Sequence, residues 1–464
     1  MLGSMLALVT AVPSVTQATK PIALHPVNPH YFLFRGKPTV LITSGEHYGA
    51  VLNLDFDYVS YLDALQAKGF NLTRTFTGVY MEDPTSFNIR DNTLSPAPNR
   101  LICPWARSAT PGYANEGNKF DLSKWDPAYF RRLKDFCRQA GKRGIVVELV
   151  LFCPYYDEKQ WDLSPLQARN NVNGIGDVPR TEVRTMKHNE LVAVQDAMVR
   201  KIASELRAFD NLYYEVCNEP YFGGVTIEWQ NHIIATILDA ESAFRSKHLI
   251  AQNIANGSTR IEDPNPSVSI FNYHYSNPPD SVALNYGLNK VIAFDETGFK
   301  GIADKPYRTD GWEFILAGGG VYDNLDYSFT VGHEGGTFVL PESQPGGGGA
   351  TLHRQLAILK EFIHSFNFIR MAPDNSVIKA GVPEGATARA LVQPGQAYAV
   401  YIREGTQANL VLDVAAGPYR VEWVNPRTGA IDKTDEVNHA GGDLRLASPP
   451  YSEDIALRLV KRGR

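Results

Sequence analysis

Residues 211–224 read NLYYEVCNEPYFGG, and no other stretch constrains the fold as much. Leu212 to Cys217 form a short, mostly apolar, β-rich run with the character of a buried strand. Asn218 and Glu219 stand at its end, Pro220 stops it, and two glycines open a loop. A carboxylate at the C-terminal end of an apolar strand is where a parallel barrel keeps its chemistry. Taken alone, such a glutamate serves equally well to cap a loop.

A second stretch breaks that tie. Residues 290–301 read KVIAFDETGFKG, again an apolar run that ends in acid, Asp295 and Glu296, before Thr297-Gly298 breaks the strand. Glu219 and Glu296 are 77 positions apart. At about 25 to 40 residues per strand–helix unit, two or three units fit between them. Glu219 then ends strand 4, Glu296 ends strand 7, and both face one mouth. Two carboxylates across a cleft are what glycoside hydrolysis requires. Neighbours on a strand face opposite ways, so only one of Asp295 and Glu296 is expected to point inward.

Asn218-Glu219-Pro220 after an apolar strand, with the later Glu296, resembles the retaining glycoside hydrolases of clan A, the (β/α)8 barrels that include the family 5 cellulases and mannanases. Gly69-Phe70-Asn71-Leu72-Thr73-Arg74 is similar to the clan's strand 2 pattern, Gly-Phe-Asn-x-x-Arg. The resemblance covers roughly residues 30 to 370 and assigns no individual family. It implies Glu219 as general acid/base and Glu296, rather than Asp295, as the inward nucleophile. It implies Arg74 beside Glu296 to keep it ionised, and Asn218 on the sugar 2-hydroxyl. Clan A enzymes often carry His-x-Tyr at the end of strand 6. Here His274 and Tyr275 are adjacent, so either Tyr273 or Tyr275 faces Glu296. The tryptophan that many clan members place at the end of strand 8 is missing; Tyr322, Asn324 and Tyr327 stand there instead.

The remaining chain reads as a barrel in order. Residues 31–37 and 39–43 form a hairpin running into strand 1, which ends at Glu46-His47-Tyr48. Helix 57–68 and strand 71–76 follow. A long loop, 77–119, contains Trp105 and Tyr113 as candidate stacking platforms. Asp126-Pro127 opens a helix to about 142, by N-cap and proline at the first helical position. Strand 145–152, a second long loop 153–188 and helix 190–209 lead to the strand before Glu219. Helix 229–246 and strands 249–254 and 268–273 follow; after Glu296 come helix 308–316 with Trp312, strand 321–325 and helix 352–366. Residues 346–349 are four glycines and read as a flexible linker. Glu148 sits inside strand 3 and is expected to face the barrel interior.

From about residue 372 the texture changes to short alternating runs separated by Pro-Gly, Glu-Gly, Gly-Pro and Thr-Gly turns, the signature of a small β-sandwich. The expected organisation is an N-terminal extension or remnant export signal (1–22), an α/β catalytic TIM barrel (23–371) and an all-β accessory domain (372–464) that braces the barrel. The first lysine is Lys20, so residues 1–20 lack the positive start of an export signal. An extracellular or periplasmic location follows only from a polysaccharide substrate.

A formal net charge of −5 argues against a nucleic-acid or anionic-membrane partner. No stretch approaches the ~20 apolar residues of a membrane span. Cys103, Cys137, Cys153 and Cys217 show no metal-like spacing and read as buried thiols, with a Cys103–Cys153 bridge left open. Strand 1 supplies one histidine, His47, where barrel metal hydrolases show His-x-His, so neither metal nor cofactor is expected. His47, Tyr322, Asn324 and Trp312 complete the expected sugar contacts. The leading function is retaining hydrolysis of a β-glucan or mannan-like glycan. The alternative is a non-catalytic glycan-binding barrel, which has no need of both glutamates together with Asn218 and Arg74.

Overall fold

The structure is a computed structural model that describes residues 20–463. The N-terminal call at 1–22 lies largely outside the described residues. Eight parallel strands form one sheet: β1 (Leu41–Gly45), β2 (Leu72–Phe76), β3 (Val146–Phe152), β4 (Leu212–Cys217), β5 (Ile250–Asn256), β6 (Ile270–His274), β7 (Val291–Glu296) and β8 (Val321–Leu325). Their order is 1-8-7-6-5-4-3-2. Asn71 closes the seam between β1 and β2. Its Oδ1 accepts from the Ile42 amide and its Nδ2 donates to the Val40 carbonyl, both at 2.9 Å. The asparagine of the Gly-Phe-Asn motif thus replaces ladder bonds that the seam lacks.

Helices cover the outside of the barrel: α1 (Tyr58–Ala67), α2 (Pro127–Lys142), α3 (Asn189–Leu206), α4 (Ile227–Ala240), α5 (Asp280–Asn285), α6 (Asp304–Leu316) and α7 (Ala350–His364). α2 begins where its sequence signal lies, with the Asp126 side chain accepting from the Ala128 amide and Pro127 leading the helix. Ala23–Leu24, Phe32–Phe34 and Lys37–Thr39 make a small antiparallel sheet. Its Phe32 and Phe34 pack, with Ile22, against Leu41, Leu72, Val146, Tyr213, Ile270, Val291 and Val321 at the start of the barrel strands. That end is an apolar plug, so polar chemistry is confined to the strands' C-terminal ends.

The C-terminal strands form two antiparallel sheets. One has six strands, with Ala397–Arg403 and Asp454–Lys461 at its centre; the other has three, Ile378–Ala380, Asn409–Val414 and Gly442–Ala447. Val400, Ile402, Leu410, Leu412, Trp423 and Leu457 fill the space between them. This sandwich sits on α6 and α7. Trp312 stacks on Tyr401 with centroids 5.3 Å apart and packs on Phe362. Trp312 is therefore interface core, fully buried, and not the sugar contact expected from sequence.

Other expectations are corrected here. The loop 77–119 holds the first strand of a hairpin, Trp105–Pro111 paired with Asn118–Trp125. Trp105 stacks under Trp125 and Tyr113 donates to the Leu163 carbonyl, so both are buried supports rather than stacking platforms. The glycines at 346–349 are not a loose linker. A Cβ at Gly346 or Gly347 would collide with the Tyr327 or Tyr307 ring, so these glycines allow close packing. All four cysteines are free and buried. No helix among the described residues is long and apolar enough to cross a membrane.

Candidate active site

β4 delivers Glu219 and β7 delivers Glu296 to the same mouth, as their spacing predicts. One oxygen of each carboxylate and a nitrogen of His274 lie within 4.8 Å of one another. His274, from the end of β6, stands between the two acids: its Nδ1 is 3.2 Å from Glu219 Oε1 and 3.4 Å from Glu296 Oε1. Tyr275 donates to Glu296 Oε1 at 2.7 Å, and Tyr48 donates to Oε2 at 2.9 Å. Arg74 Nη1 lies 3.4 Å from the same Oε2. Glu219 receives different partners. Tyr156 donates to its Oε2 at 2.6 Å and Tyr221 to its Oε1 at 3.2 Å. A cavity of about 390 Å³ opens above them, lined among others by His47, Tyr48, Glu82, Tyr156, Asn218, Glu219, Tyr275 and Glu296.

The electrostatics separate the two glutamates. Burial opposes ionisation of Glu296, but His274, Arg74 and the Tyr275 hydroxyl outweigh it and hold this carboxyl well below the ordinary range. Burial likewise opposes a charged His274. The Glu296 carboxylate, with the hydrogen bonds His274 makes to Glu296 and Glu219, prevails and holds the imidazole well above its ordinary 6.5. Glu296 is thus an anion locked between two cations and two hydroxyls. Among the described residues no arginine or lysine is bonded to Glu219; its hydrogen-bond neighbours are phenols and one imidazole.

A second acidic layer lies below. Arg74 bonds Glu215 through Nε at 3.0 Å and Nη2 at 2.8 Å, and reaches Asn218 Oδ1 at 2.6 Å. Asn272 Nδ2 donates to Glu148 at 2.8 Å and to Asp295 at 2.5 Å. Asp295 therefore points inward together with Glu296, contrary to strict alternation. The ladder shows why: Tyr273 pairs with Phe294 but His274 pairs with Glu296, so Asp295 is an extra residue in a bulge. Burial raises the Asp295 carboxyl to about 7 against the pull of Arg74. Burial plus Asp295 and Glu215 raises Glu148 well above its usual range.

Two trios, Glu219–His274–Glu296 and Glu148–Glu215–Asp295, have metal-ligand chemistry and spacing. In the first, His274 Nδ1 already lies at hydrogen-bond distance from Glu219. In the second, Arg74 and Asn272 donate into the oxygens. Both are knitted by donors in the positions a cation would take.

The structure sorts the expected sugar contacts. His47 and Asn218 line the cavity; His47 Nε2 is paired with Glu82 at 3.2 Å while its buried Nδ1 has no partner. Tyr275, not Tyr273, faces Glu296; Tyr273 donates to the Thr259 carbonyl on the far side of the strand. Arg74 and His274 are sealed beneath the cavity and act through the carboxylates. Tyr322 points outward and donates to the Tyr307 carbonyl, because its place in β8 alternates away from the interior. Asn324 braces Thr297 and Ser44.

Sequence reading did not single out Tyr48, Tyr156, Tyr221 or Glu82 as site residues. The cavity wall also carries five non-glycine residues at positive φ: Tyr48 (61°), Phe87 (52°), Glu219 (37°), Tyr275 (52°) and Phe299 (56°). Such backbone costs about 1 to 3 kcal/mol per residue and clusters at functional sites. No residue type announces it.

Comparison with solved structures follows this geometry. A glycoside hydrolase from Bacteroides vulgatus superposes with a TM-score of 0.68 at 15% identity, over 97% of this chain and 84% of that one. A family 5 glycoside hydrolase from the same organism gives 0.62 at 15% identity, over 95% and 94%. The chain has the fold of these glycoside hydrolases. A family 30 xylanase from Clostridium acetobutylicum gives 0.50 at 10% identity, over 95% and 100%. No family model and no curated protein matches the chain.

Proposed function

We propose that the chain is a retaining β-glycosidase acting on a glucan- or mannan-like sugar, with Glu219 as acid/base and Glu296 as nucleophile. One observation carries the reading: the two carboxylates approach within 4.8 Å across the His274 nitrogen. Retaining enzymes hold their carboxyls at roughly 5 to 5.5 Å and inverting enzymes at roughly 6.5 to 9.5 Å. A nearest-oxygen approach within 4.8 Å supports the retaining side of that division.

The steps follow from the surroundings of each group. Glu219 gives its proton to the glycosidic oxygen as Glu296 attacks the anomeric carbon, and the bond to the leaving alcohol breaks. Glu296 is then esterified and Glu219 is a carboxylate. A water gives its proton to Glu219 and its hydroxyl to the anomeric carbon, which frees Glu296. Tyr48, Tyr275 and Arg74 hold the nucleophile in its aim and charge. Asn218 Nδ2, held by Tyr156 at 2.9 Å and weakly by Cys153 Sγ at 3.6 Å, exchanges the weaker contact for the sugar 2-hydroxyl. A 2-fluoro glycoside with an activated leaving group tests this: mass spectrometry should find the sugar esterified to Glu296. A product of inverted anomeric configuration would refute the reading.

A further inference from the structure

The cavity has two unlike poles around its carboxylates. On the nucleophile's side the wall carries polar groups among apolar ones: His47, Glu82 and the Tyr48 hydroxyl stand beside Phe76, Leu94 and Leu325, and His47 Nδ1 is buried with no partner. On the acid's side the wall is aromatic. Tyr156, which donates to Glu219, meets Phe87 edge-on at 5.3 Å and Phe222 at 5.7 Å. Phe87 also meets Phe299 at 6.3 Å, and Phe299 meets Tyr275 at 6.3 Å, which carries the arc round to Glu296. Phe87, Phe222 and Phe299 are 41%, 43% and 44% exposed, although phenyl rings are normally among the most buried groups. The Tyr221 hydroxyl near this arc is already engaged: it lies 2.5 Å from Asn256 Oδ1 and 3.2 Å from Glu219 Oε1, and its single proton serves one of them at a time.

Resting on the glycosidase reading above, we propose that the leaving-group site of this enzyme takes an apolar aglycone, an alkyl or aryl alcohol, rather than a second sugar. The acid protonates the oxygen of the leaving group, so the aglycone departs on the Glu219 side, across Phe222 and Phe87. A sugar placed there would lose water from several hydroxyls and meet mainly phenyl rings, with Tyr221 already bonded to Asn256 and Tyr156 to Glu219, at a cost for each group left unpaired. An alkyl chain or aromatic ring loses nothing polar and covers three exposed rings. Five loops supply the arc, from β2 (Phe87), β3 (Tyr156), β4 (Phe222), β6 (Tyr275) and β7 (Phe299). It therefore rings the mouth instead of lining a long groove.

The experiment compares methyl and octyl β-glycosides of the same sugar, whose leaving alcohols are similar in acidity, with the matching β-linked disaccharide. Glucosides, mannosides, galactosides and xylosides are each tried. Octyl glycoside should exceed both methyl glycoside and disaccharide in kcat/KM by about tenfold or more. Phe222→Ser and Phe87→Ser, singly and together, should lower kcat/KM for octyl glycoside more than for methyl glycoside and so erode that preference towards unity. Equal rates for methyl and octyl substrates, or a disaccharide hydrolysed best, would overturn the aglycone assignment and leave the glycosidase reading standing. No turnover of any β-glycoside would remove the glycosidase reading itself and this inference with it.

Discussion

Among the buried arginines of the described residues, Arg74 and Arg308 face carboxylates, and the two clusters are built differently. Arg308, at the junction of α6 and the sandwich, bonds Asp454 twice, at 2.9 and 3.1 Å, Glu453 at 2.7 Å and Gln355 at 3.1 Å. Tyr401 completes Asp454 at 2.9 Å. Arg74, inside the barrel, faces Glu215, Asp295 and Glu296 within 3.5 Å. Glu148 lies beside this group; Asp295 Oδ1 and His274 Nε2 face each other at 3.6 Å, an ion pair too long for a hydrogen bond, and Asn272 Oδ1 has no hydrogen-bond partner. The first cluster is closed and satisfied. The second has more acid than base, unpaired buried atoms and carboxyls pushed in opposite directions. A structural ion pair needs only closure. A catalytic one has to keep one carboxylate charged beside others that are not, and the imbalance does that.

The sharpest way to break the contrast is to remove one member of each cluster. Glu296→Gln should cut kcat/KM by about 10⁴-fold or more and leave the urea midpoint nearly unchanged. Arg308→Met should do the reverse. It strands Asp454 and should cost roughly 3 to 5 kcal/mol in urea unfolding, with kcat/KM within about twofold in the folded protein. If Arg308→Met abolished turnover below its unfolding transition, the division between the clusters would fail.

His274→Gln is the next test. It removes a cation and a donor from Glu296, so the carboxyl of this proposed nucleophile should rise and the acid limb of the kcat/KM profile should move to higher pH, with a loss of about 10 to 10²-fold at neutrality. An acid limb that stays in place would mean Arg74 and the tyrosines suffice. The smallest effect concerns stability. Asp295 is raised to about 7 in the folded state from an ordinary 3.8. Its contribution is therefore full below 3.8 and is lost as pH rises through 7. Asp295→Asn should flatten the fall in unfolding free energy between about pH 4 and 7. An unchanged slope would assign that fall to Glu148 or Asp323, whose carboxyls burial also raises.

The barrel was legible because each strand is a short apolar run with a polar end, and because helix starts such as Asp126-Pro127 carry local signals. The spacing of Glu219 and Glu296 was enough to place both at one mouth. Trp312 misled for an equally physical reason: an aromatic residue after a strand-end acid reads the same whether it covers sugar or a second domain. Asp295 misled because alternation holds only in a regular ladder, and the bulge that turns it inward has no sequence mark.

By itself, then, the sequence determined the order of strands and helices, the acids at their ends and the change to a β-rich C-terminal region, all properties of local pattern and chain spacing. The tertiary structure alone decided which groups meet: Tyr275 rather than Tyr273 on Glu296, His274 between two acids, Arg74 beneath rather than in the cavity, and the phenylalanine arc over Glu219. Those contacts join residues from as many as six loops and depend on positive-φ backbone at Tyr48, Glu219 and Tyr275. Packing over the whole barrel imposes that backbone, and no local preference encodes it.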